Sequence, residues 1–143
     1  MNSKNTSNEK IIDRKIILST LWIFAVLNYL YCDVVSFMDS NLLKQYLAGK
    51  VGDMEISQGF LLIGSILMEI SISMVLLSRI LKYKANRLIN IIAGIITTLA
   101  QISSLLTGKP TMYYIFFSVI EISTTAFIVW YAWRWKSNEQ VDK

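Results

Sequence analysis

The sequence predicts an all-α integral membrane protein, a bundle of four transmembrane helices with both termini in the cytoplasm. Two observations carry this prediction. Hydrophobic residues make up 54% of the 143 residues and charged residues 17%, and the hydrophobic residues are gathered in four long runs. Lysine and arginine are concentrated on one side of those runs. A soluble domain would interrupt its apolar segments to form solvated faces, whereas these segments are apolar nearly all round.

Each run is long enough to cross a bilayer, because roughly 20 apolar residues in a helix cover about 30 Å of hydrocarbon. The strands of an outer-membrane barrel are excluded, since the runs are too long and lack alternation. The transmembrane domain is predicted over residues 16–136, between cytoplasmic tails at 1–15 and 137–143. Its helices are predicted at residues 16–38, 58–81, 88–106 and 112–133.

The longest link between the predicted helices covers residues 39–57. Its apolar residues fall on one helical face that ends at Gly49. This pattern favours a short helix lying along the membrane surface, and an ordinary ordered loop fits it equally well. The apolar residues of that face are Leu42, Leu43, Tyr46 and Leu47.

The orientation follows from the 14 lysine and arginine residues, of which eleven lie at the termini and around the link between helices two and three, and three lie in the other links. The positive-inside rule places the more basic side, and with it both termini, in the cytoplasm. The eleven are Lys4, Lys10, Arg14, Lys15, Arg79, Lys82, Lys84, Arg87, Arg134, Lys136 and Lys143. The three are Lys44, Lys50 and Lys109.

The second and fourth helices share a short similar segment, Met-Glu-Ile-Ser at 68–71 and Ile-Glu-Ile-Ser at 120–123. We interpret it as a two-helix hairpin repeated in tandem in the same orientation, about a pseudo-two-fold axis along the membrane normal. This interpretation predicts that Glu69 and Glu121 lie at related depths on opposite sides of that axis.

Five polar side chains within the spans form the candidate binding site. Each belongs to a stripe of polar or small residues at helical spacing, so all four stripes are predicted to face the bundle interior. An ionisable group in hydrocarbon costs roughly 2.5–3.5 kcal/mol and therefore marks a functional position. The five are Asn28, Asp33, Glu69, Gln101 and Glu121.

Polar residues also hold membrane helices together by hydrogen bonds, so each candidate is weighed against that role. Packing is favoured for Asn28 and Gln101, and Asp33 fits either role. Function is favoured for Glu69 and Glu121, because a glutamine would hold helices together at lower cost. No lysine or arginine lies at the depth of these glutamates. They are therefore either neutral and hydrogen-bonded, or ionised and bound to a cation.

Composition also excludes several kinds of chemistry. The chain has no histidine and one cysteine, so neither histidine-based catalysis nor an intrachain disulfide is available. No metal site, cofactor motif or nucleotide site is present, and no catalytic residue is predicted. The positive charge follows the membrane topology and does not indicate nucleic-acid binding.

Four stretches of sequence are distinctive together, at residues 21–33, 58–70, 81–87 and 110–117. They include Asn28-Tyr29-Leu30-Tyr31-Cys32-Asp33, Gln58-Gly59-Phe60-Leu61-Leu62, Leu81-Lys82-Tyr83-Lys84-Ala85-Asn86-Arg87 and Pro110-Thr111-Met112-Tyr113-Tyr114. On these stretches the chain resembles an uncharacterised family of small bacterial four-helix membrane proteins, a domain of unknown function. The resemblance implies a multi-pass protein of the bacterial inner membrane, and it implies no reaction or substrate. The layout is also loosely similar to that of DoxX-like membrane proteins.

Three functions are consistent with these features. The first is a small transporter or channel in which Glu69 and Glu121 bind a proton or cation, with Asn28 and Gln101 completing the site; a larger solute would require a homodimer. The second is a binding protein or enzyme for a small lipid-soluble ligand, with the two carboxylates as general acid and base. The third is an accessory subunit that docks another membrane protein. The partners predicted are the lipid bilayer and one of these ligands, with no nucleic acid.

Overall fold

The computed structural model describes residues 2–107 and 110–135, with side chains from Arg14 onward. The predicted tail at 137–143 lies outside the described residues. The elements are α1 (Asn2–Met38), α2 (Ser40–Leu47), β1 (Lys50–Val51), β2 (Met54–Glu55), α3 (Gln58–Ile80), α4 (Tyr83–Leu106) and α5 (Met112–Trp133). Four helices are long and apolar enough to cross a membrane, and the segment of α1 that does so is Arg14–Met38. The predicted all-α architecture with four spanning helices is confirmed.

Two helices begin earlier than the hydropathy pattern indicated. Helix α1 begins at Asn2 rather than at residue 16, and α4 begins at Tyr83 rather than at residue 88. Hydropathy marks the part of a helix that lies in hydrocarbon, whereas the backbone hydrogen bonds continue into the polar flank. In α4 this first turn is fixed by tertiary packing, because Tyr83 and Asn86 are buried.

The link at 39–57 contains the short helix α2, as the amphipathic face indicated. The Asp39 side chain accepts hydrogen bonds from the first backbone N–H groups of α2. Gly49, with φ of 71°, follows its C-terminus. The rings of Phe37 and Tyr46 lie 5.8 Å apart, so α2 packs back onto the end of α1. The antiparallel pair of β1 and β2 was not foreseen, because two residues per strand are too few to show alternation.

The four long helices form a ring in the order α1, α3, α4, α5. Helix α1 packs on both α3 and α5, and α4 packs on α5, while the seam between α3 and α4 is the least extensive of the four. We call the end that carries α2, β1 and β2 the hairpin end. The opposite end, with the short link at Leu81 and Lys82, is the basic end.

The apolar core fills the basic half of the bundle. Toward the hairpin end the buried side chains are mostly small or polar, among them Ser36, Thr97 and Ser118. Large apolar side chains are exposed on all four long helices, which is the surface that lipid requires. The core consists of Leu18, Trp22, Met74, Tyr83, Ala93, Ile128, Ala132 and Trp135.

Candidate functional site

The most deeply buried carboxyl of the described spans belongs to Glu121, near the middle of α5. It lies on the inward face of this helix with Ser118 and Thr125, at spacings of three and four residues that place them on one side. Only 1% of its surface is exposed. This helix therefore turns its polar stripe inward, as the sequence predicts.

Neither carboxyl oxygen of Glu121 has a hydrogen-bond partner among the described residues. The polar neighbours on its own helix are paired elsewhere. Gln101 donates to the hydroxyl of Ser118 over 2.8 Å, and the hydroxyls of Thr98 and Thr125 are hydrogen-bonded over 2.7 Å. Buried polar atoms without a partner are rare and call for an explanation. Glu121 therefore does not act as a hydrogen-bonding contact between helices.

The groups around Glu121 come from α1 and from α5 itself. Tyr29 and Cys32 lie close enough to interact with its charge, as does Tyr114. The charged group that acts on Glu121 is another carboxyl, that of Asp33. Two like charges repel, so Asp33 disfavours a second ionised carboxylate at Glu121.

A series of polar side chains leads from Glu121 to the hairpin end. Ser118 and its partner Gln101 lie one helical turn from Glu121. Beyond them the hydroxyl of Tyr114 is hydrogen-bonded to that of Ser104. Tyr114 continues the face of Ser118 and Glu121 along α5 toward the hairpin end, where Ser104 is exposed.

Tyr46 of α2 is the last member of this series, at the hairpin end. Burial, and then the nearby carboxyl of Asp33, raise the pKa of the Tyr46 hydroxyl, and Tyr113 and Tyr114 act in the same direction. The phenol therefore stays protonated and can donate a hydrogen bond at this end of the bundle. Asp33 itself is exposed.

The basic half of the bundle is closed by a paired polar network. The Trp22 indole donates to Oδ1 of Asn90 over 2.7 Å, and Ser78 donates to the same oxygen over 3.2 Å. The Asn90 amide donates to Asn86 Oδ1 over 2.6 Å, and the Asn86 amide donates to the Ser78 carbonyl over 2.6 Å. Beyond this network, the Tyr83 hydroxyl donates to the backbone carbonyl of Trp135 over 2.7 Å.

Glu69 lies in a different environment from Glu121. It is exposed on the outer side of α3, in a groove of about 400 Å³ between α3 and α4. Its Oε1 accepts a hydrogen bond from Ser73 over 3.3 Å. The two glutamates are therefore not parts of one site, and a general acid and base pair made of both has no support in this arrangement.

The prediction that the stripe of Glu69 faces the bundle interior is wrong. The buried face of α3 carries Ser71, Met74 and Ser78 instead. The segment similarity between helices does not extend to burial, because Ser71 is buried while its counterpart Ser123 is exposed. Helix α3 presents serines on more than one side, and packing against α1 selects the side with Ser71.

Asn28 and Gln101, the remaining candidates from the sequence, lie in different places in the bundle. Asn28 is half-buried and donates to the backbone carbonyl of Phe24 over 2.8 Å, within its own helix. Gln101 donates to Ser118, which lies one helical turn before Glu121 on α5. The structure thus places Gln101 and Asp33 near Glu121 and places Glu69 in a separate groove, while Asn28 is hydrogen-bonded within its own helix.

Two tyrosines of this region, Tyr29 and Tyr114, were not among the site residues that the sequence predicted. Tyr114 precedes Glu121 by seven residues and so shares its face, which is the spacing that could have revealed it. Tyr29 precedes Asp33 by four residues, and Tyr29 also lines a cavity of about 300 Å³ with Thr97 and Gln101. Among the side chains of residues 14–107 and 110–135, no three His, Cys, Asp or Glu are placed to hold a metal ion.

Residues 8–142 match the sequence profile of DUF6326, a family of unknown function. The chain belongs to this family. Comparison of this DUF6326 member with curated proteins and with solved structures gives no match. The family assignment agrees with the resemblance to an uncharacterised family. Because the function of the family is unknown, function is inferred from the geometry of the site.

Proposed function

We propose that this chain binds a proton or a small monovalent cation at Glu121 and transports it across the membrane. The observation that carries the proposal is the fully buried carboxyl of Glu121, whose two oxygens have no hydrogen-bond partner among the described residues. An ionisable group within a membrane span is costly and is retained where it takes part in an ion or proton pathway.

Packing between helices is the competing explanation for a polar residue in a span, and the geometry of Glu121 does not fit it. A packing residue would hydrogen-bond to a neighbouring helix, as Gln101 and Thr98 do. The oxygens of Glu121 remain open to a proton or a cation. The negative charge of Asp33 repels a second negative charge at Glu121, and so it favours a proton or a cation at the Glu121 carboxyl.

Access to Glu121 is proposed from the hairpin end, along the side chains of Tyr114 and Gln101. The basic half is packed with apolar core residues and the Asn86 and Asn90 network. This arrangement corresponds to a state that is closed toward the basic end. Transport therefore requires a conformational change that opens this network, as in alternating access, rather than a permanently open pore.

The test is ion flux into proteoliposomes that contain the purified full chain. We expect proton or monovalent-cation flux with the parent, and flux at the level of protein-free liposomes with Glu121→Gln, which keeps the size of the side chain and removes its charge. Glu55→Gln is the matched control, because it makes the same substitution at an exposed position in β2.

Flux of Glu121→Gln equal to that of the parent would refute the proposed role of this residue. So would an absence of flux above protein-free liposomes from parent protein shown to be folded. Loss of flux in Glu69→Gln with full flux in Glu121→Gln would move the pathway to the groove between α3 and α4.

A further inference from the structure

The seam between α3 and α4 carries a groove that the proposed pathway does not use. This cavity of about 400 Å³ opens on the outer surface of the bundle and is lined mainly by apolar side chains, including Ile66, Leu77, Ile92 and Ile96. Pockets for small organic ligands have volumes of about 300–1,000 Å³ and are lined largely by apolar groups with a few polar ones. The groove matches that description in size and in lining.

The polar groups of the groove are Glu69 and Ser73. Ser73 donates to one carboxyl oxygen of Glu69 over 3.3 Å. No lysine or arginine is among the side chains that line the groove. Glu69 is near the middle of α3, so in a bilayer its carboxylate meets hydrocarbon rather than water. A carboxyl at this depth is stabilised by a proton or by a cation that reaches it from the lipid.

We infer that the α3–α4 groove binds a lipophilic organic cation, with Glu69 as its counter-ion. An apolar body of the ligand occupies the space between Ile66 and Ile92, and its cationic centre lies against the carboxylate. This inference is independent of transport at Glu121, because the two carboxyls have different environments.

Other occupants fit the groove less well. A neutral lipid chain makes no use of a carboxylate. A hard metal cation takes several oxygen ligands, and the groove offers only the carboxylate of Glu69 and the hydroxyl of Ser73. A bulky onium or ammonium ion needs no fixed coordination, and its apolar substituents gain from contact with the isoleucine and leucine side chains.

The test is equilibrium binding of radiolabelled tetraphenylphosphonium to the purified full chain in detergent. Triphenylphosphine oxide serves as the neutral probe of similar chemistry. We expect saturable binding of the cation and weak binding of the neutral probe. In Glu69→Gln the affinity for the cation should fall at least about tenfold, because the charge pair is lost in a medium of low dielectric constant. Glu55→Gln should bind like the parent.

Two further variants complete the test, one that fills the groove and one that changes the other site. Ile92→Trp should block binding by occupying the cavity, while circular dichroism and elution volume stay unchanged, since Ile92 is 47% exposed. Glu121→Gln reports on the other site. Equal affinity in Glu69→Gln and the parent would overturn the inference. Equal binding of the two probes, or loss of binding in Glu121→Gln alone, would also overturn it.

Discussion

Two buried polar side chains, Asn90 and Glu121, differ in whether their polar atoms have hydrogen-bond partners. The Asn90 side chain is hydrogen-bonded to Trp22, Ser78 and Asn86. It therefore connects α1, α3 and α4. Glu121 is as deeply buried and has no hydrogen-bond partner among the described residues. The first arrangement stabilises the fold, whereas an unpaired buried carboxyl lowers its stability.

At this scale we expect Glu121→Leu to stabilise the protein. The substitution removes an unpaired carboxyl whose burial costs about 1–3 kcal/mol and keeps an apolar side chain of similar volume in its place. The melting temperature in detergent micelles, measured by circular dichroism, should rise. Asn90→Leu is the comparison and should lower it, since Trp22, Ser78 and Asn86 lose a shared partner. A fall in both variants would assign Glu121 to packing and contradict its proposed role.

The sequence identified these residues only in part, because it reports residue type and spacing rather than partners. Glu121 was recognisable as a polar position on an inward stripe, and Asn90 belongs to the same stripe of α4 as Gln101. That one is fully paired and the other unpaired depends on side chains supplied by other helices. The contribution of Trp22 to Asn90 comes from α1, which is remote in sequence.

Among the elements, the pair of α4 and α5 depends on close backbone approach. A Cβ atom built at Gly94 would lie 2.6 Å from Val129 Cγ2 and 3.3 Å from the backbone oxygen of Thr125. Small residues at such contacts let membrane helices approach closely and pack by van der Waals contact. Gly64 in α3 is the opposite case, because nothing lies within 4 Å of its Cβ position.

We expect Gly94→Ala to destabilise the bundle by about 1–3 kcal/mol, the usual result of adding a methyl group to a filled contact. Val129 is β-branched and has little rotamer freedom with which to make room. Gly64→Ala is the matched control and should leave the melting temperature unchanged or raise it slightly, because alanine favours helix. If both variants melt like the parent, close approach at Gly94 does not contribute to the stability of the α4–α5 pair.

The sequence could not show which side of each helix faces the interior of the bundle. The four spanning helices were recognisable from apolar length alone. In α3, however, Ser65, Glu69 and Ser73 formed an equally good stripe to that of Ser71 and Ser78. Lipid and protein interior are both apolar, so hydropathy does not distinguish the two sides of such a helix.

For the whole molecule, the distribution of lysine and arginine predicts that the basic end faces the cytoplasm. Single-cysteine variants in a Cys32→Ala background can check this with a membrane-impermeant maleimide on intact cells. Asp53→Cys, in the turn between β1 and β2, should be labelled. Lys84→Cys, in the first turn of α4, should be labelled only after the membrane is permeabilised, because both positions are exposed on opposite ends of the bundle.

The reverse labelling pattern would contradict the positive-inside orientation. It would also mean that the polar series from Tyr46 to Glu121 begins on the cytoplasmic side. Equal labelling of both positions in intact cells would contradict a single orientation of the chain. The Cys32→Ala protein, which has no cysteine, measures labelling that is not at the introduced cysteine.

The sequence by itself determined the number of spanning helices and their approximate bounds, it predicted the orientation, and it left a short helix and an ordered loop equally open at residues 39–57. These features follow from local composition, and a run of apolar residues has one stable form in lipid, a helix with its backbone groups paired internally. Tertiary structure decided which side of each helix faces inward, which polar groups are paired, and that Glu69 and Glu121 belong to separate environments. Those features depend on contacts between helices that are distant along the chain, and local composition carries no information about such contacts.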